Sequence, residues 1–117
     1  MIILYGIPNC ETVKKARAWF TDQQQPHEFH DFKKQGLPPD KLAQWTQAIG
    51  WEKLLNRKGT TWRKLDASAQ AGVQDDASAQ AVMLATPSII KRPVVDWGDG
   101  LTVGFDAAVW AERLEAR

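Results

Sequence analysis

The first ten residues contain the feature that most restricts the fold, a short apolar run that passes directly into a turn and a helix. Residues 2–5 (IILY) are continuously apolar, as is typical of a strand buried on both faces in a parallel sheet. A Gly, a Pro and an Asn then interrupt the run, and residues 11–20 follow a helical apolar pattern. The only cysteine of the chain, Cys10, therefore lies where a predicted strand passes into a predicted helix.

The other apolar patterns predict two ends that contain strands and a middle that is helical. Residues 27–32 (HEFHDF) alternate as in a second strand. Residues 88–97 (SIIKRPVVDW) are rich in β-forming residues, and their last part predicts a hairpin with residues 101–105 (LTVGF). Asp106 is the predicted cap of a last helix. The order βαβ, helices, ββα indicates an α/β protein with a thioredoxin-like fold and a helical insertion.

A chain of 117 residues is long enough for one domain with a hydrophobic core. We therefore interpret residues 1–117 as a single domain. In this interpretation residues 1–33 and 86–117 form the thioredoxin-like core, and residues 37–85 form the insertion.

Charge and hydropathy exclude several classes of protein. The formal net charge is +1, which gives no reason to expect nucleic acid or a membrane surface as partner. No apolar stretch approaches the roughly 20 residues of a membrane span, and the N-terminus does not resemble a signal peptide. One cysteine cannot form an internal disulfide, so we expect a cytoplasmic protein. Separately, we expect the protein to be a monomer.

The position of Cys10 predicts a reactive thiol. A cysteine in the first turn of a helix faces backbone N–H groups without partners and the positive end of the helix dipole, both of which favour the thiolate. The alternative is a small buried hydrophobic residue, as many single cysteines are. Position 13 is Val, so the chain has no CxxC pair and a second sulfur must come from an external thiol such as glutathione.

Two basic segments could serve a site at Cys10. The first, residues 56–63, contains Arg57 and Arg63 and suits an oxyanion or a carboxylate, although it could equally be a solvated loop. The second contains Arg92 and Pro93, whose peptide bond could be cis in a tight turn or trans at an edge strand. The two histidines fit surface strand positions better than a metal site, so we expect no metal.

Several separated motifs resemble the arsenate-reductase-like family, which contains ArsC, Spx and YffB proteins. The motifs are GIPNC followed by TVKKA, then LLNRKGTTWRKL, PSIIKRPVV and VGFDAAVW, in this order along nearly the whole chain. The resemblance implies that Cys10 is the nucleophile, that Arg57 and Arg92 hold an oxyanion, and that Pro93 is a cis-proline. A third family arginine falls near Phe105, where this chain has no cation, and the motifs are most similar to the YffB subgroup.

These observations together predict a monothiol, glutathione-dependent thiol/disulfide reductase. We expect Cys10 and Arg92 to be catalytic, glutathione to be the co-substrate, and the partners to be a small oxidised or thiol-bearing substrate and glutaredoxin. The alternatives are an arsenate reductase of the glutathione/glutaredoxin type and a regulator without catalysis that binds RNA polymerase, as Spx does. The residues expected to bind substrate or glutathione are Asn9, Thr12, Arg57, Arg63 and Pro93.

Overall fold

A computed structural model describes residues 1–117 and contains four strands and eight α-helices in the predicted order. The strands are β1 (Ile2–Gly6), β2 (His27–Asp31), β3 (Val94–Asp96) and β4 (Leu101–Val103). The helices are α1 (Glu11–Asp22), α2 (Phe32–Gln35), α3 (Pro39–Ile49), α4 (Trp51–Leu54), α5 (Thr60–Arg63), α6 (Ala67–Ala71), α7 (Asp76–Ala85) and α8 (Ala107–Glu115). No helix combines the length and the apolar character that crossing a membrane requires.

The chain divides into two compact units. The sheet unit comprises Met1–Asp31 and Arg92–Arg117, and the helical unit comprises Phe32–Lys91. The interpretation of both as one domain with an inserted segment stays a prediction.

The sheet unit is built on a four-stranded mixed sheet with the order β2-β1-β3-β4. Strand β1 pairs with β2 in parallel and with β3 antiparallel, and β3 pairs with β4 antiparallel as a hairpin. Strand β1 is central in the sheet, and its residues are almost all buried, in agreement with the continuous apolar run in the sequence. The carboxyl end of β1 leads directly to Cys10.

The core of the sheet unit forms between the sheet and the helices α1 and α8. Helix α1 contributes Val13, Ala16 and Phe20, whose spacing of three and four residues places them on one face. Phe20 stacks on Trp110 of α8 with ring centroids 4.9 Å apart. The full buried cluster is Ile2, Leu4, Val13, Ala16, Phe20, Val95, Trp97 and Trp110.

The helical unit packs α3 against α4 and α7 around its own buried residues. These residues include Leu42, Trp45, Leu54, Leu55, Ala79, Met83, Ile89 and Ile90. An isolated antiparallel bridge joins Leu55 to Ile90. This bridge brings the residue after α4 next to the last residues of the unit.

The structure corrects the predicted β-structure of residues 88–97. A 3-10 turn covers Pro87–Ile89, Ile90 takes part only in the isolated bridge, and the strand is restricted to Val94–Asp96. Two prolines, Pro87 and Pro93, flank the interval and lack the N–H group that a sheet ladder needs. The β-forming side chains of Ile89 and Ile90 are buried in the helical unit instead.

Candidate active site

Cys10 is the N-cap residue of α1. Its backbone is extended (φ −101°, ψ 125°), and its carbonyl accepts the first helical hydrogen bond from the Lys14 N–H at 2.9 Å. The side chain is half-buried and packs against the core cluster of the sheet unit. A cysteine in this position combines partial access to solvent with the unsatisfied N–H groups of the first helical turn.

Gly6 allows α1 to approach the end of β1. A Cβ atom at this position would lie 2.8 Å from Cγ2 of Val13, which is closer than real side chains tolerate. Val13 is itself fully buried. The Gly in the GIPNC motif therefore sets the close contact that holds the first turn of α1, and with it Cys10, at the carboxyl end of β1.

The pKa of the Cys10 thiol lies below its ordinary value. Partial burial, the largest single effect, raises the pKa, because it disfavours the charged thiolate. The N–H of Val13, a hydrogen bond and the positive charge from Arg92, and the N–H of Thr12 act in the opposite direction and together outweigh burial. The surroundings of Cys10 thus favour a thiolate nucleophile at a lower pH than an unperturbed thiol would need.

Arg92 and Pro93 form the second side of the site. The peptide bond between them is cis, the isomer that we expected, and Arg92 is half-buried while Pro93 is buried. The Pro93 carbonyl accepts a hydrogen bond of 2.9 Å from the N–H of Gly104, a residue with φ +84°. The segment that precedes β3 is therefore fixed to the segment that follows β4, and this fixes the backbone from which Arg92 reaches Cys10.

Two further residues that are predicted to bind substrate or glutathione lie in the same unit. Asn9 is exposed in the turn before Cys10, and Thr12 is exposed in the first turn of α1. The N–H of Thr12 contributes to the lowered pKa of the thiol.

The other two predicted binding residues belong to the helical unit. Arg57 is exposed in a turn after α4, and Arg63 is the exposed last residue of α5. The guanidinium carbon of Arg57 lies 5.3 Å from the ring centroid of Trp51 and 6.0 Å from that of Trp62. The arrangement is not among the sequence-based predictions, although the two tryptophans stand six residues before and five residues after Arg57 in the chain.

The region of the expected third arginine is aromatic. Phe105 contacts the Trp110 ring at 4.7 Å and the Trp19 ring at 6.4 Å between centroids, in edge-to-face geometry. All three residues belong to the sheet unit. No group of three or more His, Cys, Asp or Glu side chains is arranged to hold a metal ion.

Comparison with known proteins identifies the family. The model of the ArsC family matches residues 5–113 of the chain. The chain belongs to the ArsC family. An uncharacterized protein of Haemophilus influenzae is 39% identical over 106 residues, which cover 91% of this chain and 92% of that protein. The global transcriptional regulator Spx of Staphylococcus saprophyticus is 22% identical over 91% of this chain and 81% of its own length.

Solved structures of this family share the fold. The structure of a protein named YFFB has a TM-score of 0.91 and 44% identity, covering 96% of this chain and 97% of its own. An arsenate reductase (ArsC) related protein from Brucella melitensis has a TM-score of 0.77 and 47% identity, covering 93% and 90%. The family resemblance and the thioredoxin-like fold predicted from the sequence are thereby confirmed.

Proposed function

We propose that this ArsC-family chain is a cytoplasmic monothiol reductase that uses Cys10 as nucleophile and glutathione as the external thiol. The observation that carries the proposal is the surroundings of Cys10, where the N–H groups of α1 and the charge of Arg92 lower the pKa of a half-buried thiol. Since the chain has one cysteine, a second sulfur must come from another molecule.

The proposed reaction proceeds through two thiol exchanges. The Cys10 thiolate attacks the glutathione sulfur of a mixed disulfide, a Cys10–glutathione disulfide forms, and the substrate leaves as a thiolate that takes up a proton. A second glutathione, reacting as thiolate, then attacks the glutathione sulfur bound to Cys10. This step releases oxidised glutathione and regenerates the Cys10 thiolate. In the sum of the two steps the substrate sulfur is reduced to a thiol and the incoming glutathione is oxidised, while the glutathione of the mixed disulfide passes unchanged in oxidation state into oxidised glutathione.

The other residues receive roles in binding. Arg92 stabilises the Cys10 thiolate each time it forms, because its charge and hydrogen bond favour the anion. We assign Asn9, Thr12 and Pro93 to contacts with the bound thiol, since they are close to Cys10 or Arg92 in the chain. We assign Arg57 and Arg63 to a carboxylate or oxyanion of the substrate or of glutathione, since both are exposed cations. Glutaredoxin is the expected protein partner.

Mass spectrometry after incubation with oxidised glutathione tests the first exchange. The protein should gain a single glutathionyl group, and Cys10→Ser should gain none. The second exchange is tested by turnover of a glutathionylated peptide with reduced glutathione, followed through the release of oxidised glutathione. An adduct on the Cys10→Ser protein, or an adduct on the wild type that reduced glutathione cannot remove, would contradict the proposal.

Arsenate reduction is the second candidate activity, and the 47% identity to an arsenate reductase related protein favours it. Phe105 argues against it, because an aromatic ring replaces a cation at the position that the family resemblance assigns to oxyanion binding. Loss of one charge-assisted contact costs about 1.5–3 kcal/mol, so arsenate turnover should be about tenfold to a hundredfold weaker than in a dedicated reductase. Turnover of arsenate with glutathione and glutaredoxin distinguishes the two activities.

A regulatory function is the third candidate, and the similarity to Spx of Staphylococcus saprophyticus favours it. The chain has no CxxC pair, because Val13 stands where the second cysteine of the pair would be, and Val13 is fully buried. Co-purification with RNA polymerase subunits tests this function. Stable binding by a Cys10→Ser protein that retains no exchange activity would favour the regulator.

A further inference from the structure

A basic cavity lies in the helical unit, around the turn that follows α4. Its volume is about 260 Å³, and four of the residues that line it are cations. These are Lys53, Arg57, Lys58 and Lys91, and Glu52 is the only acidic residue beside them. The chain as a whole has a net charge of only +1, so positive charge is concentrated at this cavity.

The backbone around the cavity is fixed by hydrogen bonds from two distant parts of the chain. The N–H of Asn56 donates to the Ile89 carbonyl at 2.9 Å, and the N–H of Lys91 donates to the Leu54 carbonyl at 2.7 Å. These bonds flank the bridge between Leu55 and Ile90. The positive charges of Lys53 and Lys91 are therefore brought to one cavity by tertiary structure rather than by sequence proximity.

The positive charges at this cavity are not neutralised within the protein. Lys53, Arg57, Lys58 and Lys91 take part in none of the ion pairs described, which join Lys14 to Glu11 and Arg113 and Arg117 to Asp99. The indole rings of Trp51 and Trp62 lie beside the Arg57 guanidinium within the distance of a cation–π contact. Several like charges around a small cavity repel one another, and a bound anion would remove this repulsion.

We propose that this cavity binds a compact anion with several negative charges on phosphate oxygens, of the diphosphate type. Three of the four cations are lysines, which bind phosphate as point charges, whereas planar carboxylates favour paired arginines. The small cavity and the Glu52 carboxylate at its edge disfavour an extended polyanion such as nucleic acid. Arg57 belongs to both proposals, but the charges of Lys53, Lys58 and Lys91 have no role in the proposed thiol exchange, and the binding of the anion is tested without it.

Titration of the reduced protein with inorganic pyrophosphate at constant ionic strength tests the proposal, with NMR signals of the Gly59 amide and the Trp51 and Trp62 indoles as the readout. We expect saturable one-to-one binding that shifts these signals. The Lys53→Gln/Lys58→Gln variant should bind about tenfold more weakly. Lys91→Gln should also weaken binding, and Lys34→Gln, which removes an exposed charge from α2 in the same unit, should leave it unchanged. Thermal melting confirms that each variant is folded.

Further ligands identify the source of the anion. Equal binding of ADP and pyrophosphate, with none of adenosine, would indicate the diphosphate of a nucleotide. Much weaker binding of ADP would indicate the free inorganic ion, and either result supports the proposal. Three results would overturn it: shifts that do not saturate, an equal loss of affinity in Lys34→Gln, or an RNA oligonucleotide that binds more tightly than pyrophosphate at equal phosphate concentration.

Discussion

Helices α1 and α8 begin with different N-cap residues, Cys10 and Asp106, although both helices have unsatisfied backbone N–H groups in their first turn. Asp106 caps α8, and its carboxylate accepts hydrogen bonds from the N–H groups of Ala108 at 3.1 Å and Val109 at 3.3 Å. Cys10 occupies the same position at α1 but makes no capping hydrogen bond of this kind. An aspartate satisfies the N–H groups of the first turn permanently, whereas a cysteine leaves them available to a thiolate.

The cap of α7 shows the electrostatic side of this comparison. The hydroxyl and the N–H of Ser78 lower the pKa of Asp75, which is fully exposed. At Cys10 the N–H groups of Val13 and Thr12 act in the same direction, but burial opposes them and Arg92 is needed in addition. Of the two caps, only that of α1 places a partly buried group, the Cys10 thiolate, beside a cation, Arg92. A lowered pKa at a partly accessible thiol is what a cysteine nucleophile requires.

The largest expected effect comes from giving α1 the cap that α8 has. Cys10→Asp should abolish glutathione exchange completely, because no sulfur remains. It should also raise the free energy of unfolding by about 0.5–2 kcal/mol, the usual contribution of an acidic N-cap. Chemical denaturation and the exchange assay measure the two effects on one protein. A variant that loses activity and is also less stable would show that Cys10 already stabilises the helix start.

Removal of Arg92 separates the contribution of the cation from that of the helix. Arg92→Ala should raise the pKa of the Cys10 thiol and slow its alkylation by iodoacetamide at pH 7 by about tenfold, because the N–H groups remain but the charge is lost. Arg92→Lys should restore part of the effect. The pH at which the wild-type alkylation rate reaches half of its maximum should lie below ~8.5, the pKa of an unperturbed thiol. Identical pH profiles for the wild type and Arg92→Ala would leave the helix alone as the activating group.

The reverse experiment at α8 should affect stability only. Asp106→Ala should lower the free energy of unfolding by about 1 kcal/mol, because two backbone N–H groups lose their acceptor. The alkylation profile of Cys10 should not change, and Asp106→Asn is the matched control because its amide oxygen can still accept. A changed thiol pKa in Asp106→Ala would mean that the two helix starts are coupled.

Local patterns predicted those parts of the molecule in which sequence neighbours decide the structure. The apolar run of β1, the helical spacing in α1, Asp106 as a cap and the position of Cys10 all follow from residues within a few positions of one another. The basic segment around Arg57 was visible in the same way, but the addition of Lys91 to it was not, because the bridge between Leu55 and Ile90 brings Lys91 to the same cavity. The β-forming character of residues 88–97 extends to Ile90, which is outside the sheet and pairs with Leu55 in the isolated bridge.

The smallest expected effect is a pH dependence of stability that Cys10→Ser should lack. The folded protein lowers the pKa of the thiol, so the unfolded state binds more protons between the two pKa values. The resulting stabilisation is fully present above the unfolded pKa of ~8.5 and is lost as the pH falls through the folded pKa. The free energy of unfolding of the wild type relative to Cys10→Ser should therefore rise from pH 6 to pH 9.5 under reducing conditions. The pH at which the rise begins should coincide with the midpoint of the alkylation profile. A difference that is constant, or that falls as the pH rises, would mean that the folded protein does not favour the thiolate, and that Cys10 differs from Asp106 only in lacking a cap.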